Sequence, residues 1–405
     1  MTVVAELLSV EEALARVLAR ARPLPAETLE LADAAGRVLA EDAVAALDLP
    51  RFASSAMDGF ALRASDTPGT LPIVARIAAG RPSARPLEAG EAMAISTGGV
   101  VPDGADAVVP IELVRDEGES LVVTDAVPVG AHIRPRGGDV RAGETVLQAG
   151  AGVTPSRLAA LASAGVDRAR CARRPRAAIV TTGTELRRLG EPLGPGEIYD
   201  SNGVMLAALL GDSGAEVVTR EHVADDASAH ESILARALEA DVLVTSGGVS
   251  VGPHDLVRDV LAKLGAEEVF WGVAMRPGKP LAFSVRGDTL LFGLPGNPVS
   301  SLVGALLFLV PAIRALQGLA RPEPPFRTGV LAQAASRRPS RDDYQRACLE
   351  RSGDDVLLRP LDGQESHMIA RAAQADALVH VPRGTGELAA GSTVRYLLLD
   401  PSTGT

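Results

Sequence analysis

The sequence predicts a multidomain α/β protein: a central doubly wound α/β unit, a β-rich extended N-terminal arm ahead of it and a small C-terminal β-barrel or sandwich behind it. Three observations predict this. The chain has 405 residues, more than one hydrophobic core normally carries. From about residue 176 to 320, buried-strand runs alternate with helical patterns, the signature of a parallel sheet with ligands at the strand carboxyl ends. On either side lie short apolar runs separated by Gly, Pro and Asp, the signature of small β-structures.

Taken in order, Ser9-Val-Glu-Glu12 is a capping box that opens a helix to about Arg20. The arm spans about residues 47–150 within an N-terminal region of 1–175, with apolar runs at 71–77, 105–111, 120–123 and 145–148. Residues 154–164 read as a helix with Pro155 in its first turn. The α/β unit, 176–320, begins with the strand 177–182. Helices are expected at 203–210, 227–240, 255–264 and 299–316, and strands at 216–219, 241–245, 268–273, 281–285 and 289–293. The last two strands join through Arg286-Gly-Asp288. Arg321-Pro-Glu-Pro-Pro325 is a linker by composition, and residues 326–405 show strands at 355–358, 377–381 and 393–398.

Composition excludes several functions. The net charge of −11 argues against a duplex nucleic acid, whose binding depends on phosphate neutralisation, and 3% aromatic residues leave no stacking platform for single strands. Cys171 and Cys348 form no disulfide framework, which fits a reducing compartment. No basic, apolar leader opens the chain, and the apolar stretch 299–313 contains two serines and is shorter than a membrane span. The expectation is a cytoplasmic protein that binds neither nucleic acid nor membrane.

Three Gly/Ser/Thr-rich turns follow strands of the α/β unit: 181–185, 246–250 and 294–298. Backbone amides at such turns, here those of Gly247, Gly248 and Ser250 and the Pro295, Asn297 and Pro298 turn, make nests for anions. No Walker-type loop and no dinucleotide-binding glycine pattern is present. Glu185, Asp200, Asp225, Asp226 and Asp255 fall near the same edge, which suits Mg²⁺ bridging to substrate phosphates. Asp200 and Asp255 read equally as helix N-caps, and Asp225-Asp226 as a solvated loop pair. Arg276-Pro-Gly-Lys279 holds one of only two lysines among 40 basic residues. It reads either as a plain turn or as a cationic element in which Lys279 is a point charge for phosphate. In the N-terminal half, the segments around Asp58, Thr97 and Asp139 each read as a turn or as a functional element.

In order, S-A-M-D-G-F (55–60), S-T-G-G (96–99), R-P-R-G-G-D (134–139), T-T-G-T-E-L (181–186), Y-D-S-N-G (199–203), S-G-G-V-S-V-G-P-H-D (246–255), R-P-G-K-P (276–280), G-L-P-G-N-P-V-S (293–300), D-Y-Q-R (343–346) and E-S-H (365–367) resemble the molybdopterin molybdenumtransferase family, the MoeA proteins and the gephyrin E domain. The resemblance runs from about Ser9 to Arg395 and implies a central unit of the molybdopterin-binding type, a C-terminal β-barrel domain and elongated homodimers. It implies insertion of molybdenum from molybdate into adenylylated molybdopterin with release of AMP. It also implies a site drawing on Asp58, Asp139, Glu185, Asp225, Asp255 and Lys279, with Thr97, Pro295, Pro298, Arg346 and Ser366. Mg²⁺ would sit on Glu185 and Asp225, and either Asp255 or Asp58 would orient the attacking oxygen. Other cofactor-biosynthesis enzymes are implied as partners. Two positions depart from the family: lysines often found there are Gly272 and Arg276 in this chain. The alternatives are the adenylyltransferase that makes the substrate, for which the arm and C-terminal region are superfluous, and a gephyrin-like scaffold without catalysis.

Overall fold

The computed structural model describes residues 7–224, 227–248, 256–353 and 355–399. The chain forms two compact units, one of Thr28–Ala35 and Glu41–Arg170, the other of residues up to Glu27, Gly36–Ala40 and Cys171 onward.

The first unit is built on a six-stranded sheet in the order β4-β1-β3-β2-β6-β5, where β1 is Gly59–Leu62, β2 Gly69–Ile77, β3 Ala92–Ile95, β4 Ala107–Pro110, β5 Arg115–Asp116 and β6 Ser120–Val123. The apolar runs lie where expected because alternate residues face two small cores. Phe60, Leu62, Leu71, Val109 and Leu121 fill one, and Ile77, Met93, Ile95 and Val108 the other. Gly59 has no room for a side chain, since a Cβ there would run into the Val109 carbonyl of the paired strand. This explains the glycine after Asp58.

The second unit carries the α/β sheet, in the order β8-β7-β9-β12-β11-β10. These strands are β7 Arg176–Thr182, β8 Glu216–Val223, β9 Val242–Ser246, β10 Glu267–Trp271, β11 Ala282–Arg286 and β12 Thr289–Leu294. The pairings β7–β8, β7–β9 and β9–β12 are parallel, while β11 and β10 run antiparallel at one end. The carboxyl ends of β7, β8, β9 and β12 therefore share one edge. Helices α1 (Ser201–Asp212), α2 (Ala227–Ala237), α3 (Leu256–Lys263) and α4 (Pro298–Leu316) cover the faces. Every residue of β9 is buried, as two covered faces require. Each Val, Leu or Ile so buried contributes about 1.5–3 kcal/mol.

Helix α4 differs from the expected uniform helix: it widens to a π-helical turn over Ala305–Leu309. Pro311 lacks an amide and its ring crowds the carbonyl four residues back, at Leu307, inside that turn. At 19 residues α4 is also longer than its apolar stretch suggested and could cross a membrane by length, but 83% of its apolar window is buried inside the unit. It is a core helix.

The C-terminal region closes on itself as a barrel of β13 (Arg327–Leu331), β14 (Asp342–Ser352), β15 (Asp355–Pro360), β16 (Ala377–Val381) and β17 (Thr393–Leu398). They pair in the ring β14-β15-β13-β17-β16 and back to β14. A barrel rather than a sandwich results. The longest strand, β14, was not expected from the sequence. Its sequence DDYQRACLERS is polar, yet Asp342 through Ala347 are all buried.

Candidate active site

The sheet edge is organised around Asn202, at the start of α1. Its Nδ2 donates to Ser246 Oγ at the end of β9 (2.9 Å) and to the Gly296 carbonyl after β12 (2.7 Å). Ser246 Oγ in turn donates to the Pro295 carbonyl (3.3 Å). Three strand-to-helix connections are thereby tied to one side chain, whose Oδ1 is buried with no partner among the described residues. Asp200 caps α1, accepting from the Gly203 amide and the Thr181 hydroxyl (2.9 Å each). Of the two readings open for Asp200, the cap is the one the geometry supports, since both oxygens are occupied.

These residues wall a cavity of about 490 Å³ together with Thr182, Glu185, Leu186, Tyr199, Asn297, Pro298 and His367. Glu185 is exposed at its rim, and its carboxylate accepts no hydrogen bond among the described residues. Gly183 makes the approach possible: at φ +149° it occupies backbone space poor for other residues, and a Cβ would lie 2.5 Å from the Glu185 carboxylate.

The nest expected at Gly247-Gly248 is half formed. Both residues have positive φ, +96° and +64°. The Gly247 amide, however, already donates to the Leu294 carbonyl (3.0 Å), which leaves it unavailable to a phosphate. The first turn of α4 is likewise partly committed: Pro298 has no amide, and the Val299 amide donates to the Ser366 carbonyl (3.1 Å). Asn297 precedes that turn with an exposed side chain that makes no capping bond. Ser366 thus meets the site through its backbone, and His367 is the side chain of that loop on the cavity wall.

Arg346 lies behind the wall. It is 1% exposed, and its guanidinium donates to the carbonyls of Met368 and Gly363 (2.7 Å each) and Glu365 (3.3 Å), and to Gln364 Oε1 (3.3 Å). A fork of donors in fixed geometry suits this task, which is to hold the 363–368 loop from inside. The guanidinium is thereby turned toward this loop, which carries His367 onto the cavity wall. Arg276 is committed only in part. Its Nη1 donates to Asp343 Oδ2 (3.3 Å), whose carboxyl burial pushes above the usual range, partly offset by that guanidinium. Lys279 follows in the turn that sets Gly278 beside the first turn of α4, a Cβ there lying 3.5 Å from the Ser300 carbonyl. Its ammonium makes no hydrogen bond or ion pair among the described residues. Gly272 has φ +87°, with Leu7 Cδ2 2.7 Å from a would-be Cβ, so a lysine at this position would be strained.

In the first unit, Asp58 and Thr97 come together: the Thr97 amide (2.7 Å) and hydroxyl (3.0 Å) both donate to Asp58 Oδ1. These bonds hold the Asp58 carboxyl below its ordinary range. Asp58 borders a pocket of about 260 Å³ that includes Arg76, Ser96 and Asp116 but not Asp139. Asp139 is exposed and engages Leu49 through its amide. Thr97→Val removes one donor, so the Asp58 pKa rises. Where ionised Asp58 limits the rate, the acid limb of the kcat/KM profile shifts to higher pH; an unmoved limb removes Asp58 from that role. Asp225, Ser250 and Asp255 lie outside the described residues. Among the described residues no group of three His, Cys, Asp or Glu side chains could enclose a metal. The sequence alone assigns no role to Tyr199, Asn202, Ser246 or His367, which line the cavity. Asn202 had a signal in Y-D-S-N-G, directly after the capping aspartate.

Comparison with known proteins decides the family. The model of the MoeA N-terminal region (domains I and II) matches residues 8–165, that of the probable molybdopterin binding domain 178–315, and that of the MoeA C-terminal region (domain IV) 328–399. Molybdopterin molybdenumtransferase 2 of Mycobacterium tuberculosis is 38% identical over 400 residues, covering 95% of this chain and 97% of that protein. The chain belongs to the molybdopterin molybdenumtransferase family. The Haemophilus influenzae molybdopterin molybdenumtransferase is 34% identical over 397 residues, 96% of this chain and 98% of its own. The crystal structure of the molybdopterin biosynthesis MoeA protein from Pyrococcus horikoshii superposes with a TM-score of 0.84 at 27% identity, covering 97% of this chain and all of that one.

Proposed function

We propose that this family member inserts molybdenum from molybdate into adenylylated molybdopterin, releasing AMP and forming the molybdenum cofactor. The observation that carries the reading is the run of three family regions along one chain. An adenylyltransferase needs only the central one, and a scaffold needs no free carboxylate at a sheet-edge cavity. In this reading the protein is a cytoplasmic homodimer, with other cofactor-biosynthesis enzymes as partners. Light scattering should give twice the 41.7 kDa chain mass.

The central cavity would take the pterin and its phosphates, with the Gly248 amide and the Lys279 ammonium as donors. Mg²⁺ fits one mode of binding. It commonly uses one or two carboxylates plus substrate phosphates and water, and Glu185 is an unpartnered oxygen donor at the rim. Glu185, with Asp225, would hold the ion, which when bound supplies charge neutralisation at the phosphates. Asn202 and Asp200 fix the wall against which the substrate is oriented. Asp58, held ionised by Thr97, and Asp255 are the two acids suited to orienting the attacking oxygen of water or molybdate.

The deciding assay follows AMP released from adenylylated molybdopterin with and without molybdate. Release without ATP consumption, accompanied by active cofactor, is expected; ATP-dependent adenylyl transfer to molybdopterin would establish the alternative enzyme instead. Lys279→Arg is expected to raise KM roughly tenfold, the scale of losing one well-placed charge-assisted contact, because a planar fork does not replace a point donor. Unchanged KM and kcat would reduce Lys279 to a turn residue.

A further inference from the structure

A second cavity, of about 320 Å³, lies behind the first, lined by Arg187, Arg188, Leu189, Asp200, Val204, Arg220, Glu221 and His222. The partition between them is the two-strand ribbon that pairs Leu186–Arg187 with Ile198–Tyr199. Successive side chains of an extended segment point to opposite faces, so Leu186 lines the first cavity and Arg187 the second. The charges here are unequally partnered. Arg187 pairs with Glu197. Glu221 is gripped by Arg236 at 3.1 and 3.2 Å. Asp200 accepts from Thr181 and Gly203. Arg188 and Arg220 are exposed, and neither guanidinium makes a hydrogen bond or ion pair among the described residues. Two guanidinium groups with no ion-pair partner among the described residues thus line one cavity, where Asp200 is the single carboxylate not paired with a cation, in a chain whose net charge is −11.

His222 links this cavity to the candidate active site. Its Nε2 lies 2.8 Å from the Gly183 carbonyl, an acceptor only, so Nε2 carries the proton and donates. The Gly183 amide donates back to the Val223 carbonyl (3.3 Å). The turn that presents Glu185 is therefore held from the second cavity's side.

We propose that this cavity is a binding site for a doubly charged tetrahedral oxyanion, gripped by the guanidinium groups of Arg188 and Arg220. Guanidinium forks match the paired oxygens of such an anion. Under the functional reading above, both molybdate and the phosphate monoester of AMP have this chemistry, and the choice between them rests on that reading.

Calorimetric titrations of the full-length Lys279→Ala protein with molybdate, inorganic phosphate and AMP test the site apart from the candidate active site. Saturable binding of one oxyanion is expected, weakened roughly ten- to a hundredfold by Arg188→Gln and again by Arg220→Gln, the scale of one charge-assisted hydrogen bond each. Both arginines are exposed, and an unchanged melting temperature verifies that the variants fold. Molybdate binding without phosphate or AMP would identify the metal substrate as the ligand, AMP binding the product. Saturable binding unchanged in the double variant, or no binding before the arginines are replaced, overturns the proposal. AMP release failing in the assay above while the titrations succeed would overturn the functional reading and leave the oxyanion site standing.

Discussion

Glu185→Gln is expected to lower turnover by roughly 10²–10³-fold, the range for losing one preorganised electrostatic group. Its side chain is exposed and takes no part in packing, so the melting temperature should stay where it is. The amide keeps the shape of the carboxylate and removes its charge, which isolates the electrostatic contribution. The informative readout is a Mg²⁺ titration of AMP release. The variant should require far more Mg²⁺ for half-maximal rate, and Asp225→Asn should match it. Wild-type Mg²⁺ dependence in Glu185→Gln would remove it from the metal site, whatever the fall in rate.

Arg346→Ala should be costly in a different way. It leaves the part-buried carbonyls of Gly363, Glu365 and Met368 and the Gln364 side chain without their donor. Each acceptor left unpaired costs about 1–3 kcal/mol where water cannot replace the donor, and the melting temperature should fall on the order of 10 °C. KM for adenylylated molybdopterin should rise in parallel, because the loop that carries His367 loses its anchor. Arg346→Lys should rescue little, since an ammonium cannot span carbonyls that a fork reaches together. A raised KM with an unchanged melting temperature would instead make Arg346 a direct ligand.

The α/β unit was legible because its strands are apolar on both faces. The run at 177–182 falls within β7, and 289–293 within β12, to one residue at either end. Strand β14 was illegible for the opposite reason: it buries Asp342, Asp343, Gln345 and Arg346 through ion pairs and hydrogen bonds, so polarity stops reporting exposure. The same effect hides the burial of Arg346. A functional motif and a buried bracket look alike in sequence when the partners are backbone carbonyls brought together only by folding. The glycines of the second turn carry the pattern of an anion nest, yet whether an amide is free depends on its neighbours, and Leu294 occupies that of Gly247. Asp58 and Thr97 were named separately; only the sheet register brings them into contact.

The bond from the Val299 amide to the Ser366 carbonyl joins the opening turn of a core helix to a loop of the barrel region. Two stretches far apart in sequence thereby share responsibility for one wall of the cavity. Neither can drift independently: a substitution that moves the 363–368 loop is felt where α4 begins, and one that shifts α4 is felt at His367. A central unit excised for engineering would carry its glycine turns and Glu185 but leave that helix start unsatisfied and the wall open. In this chain the barrel region helps build the cavity's wall, and a graft that kept the wall would have to carry both stretches.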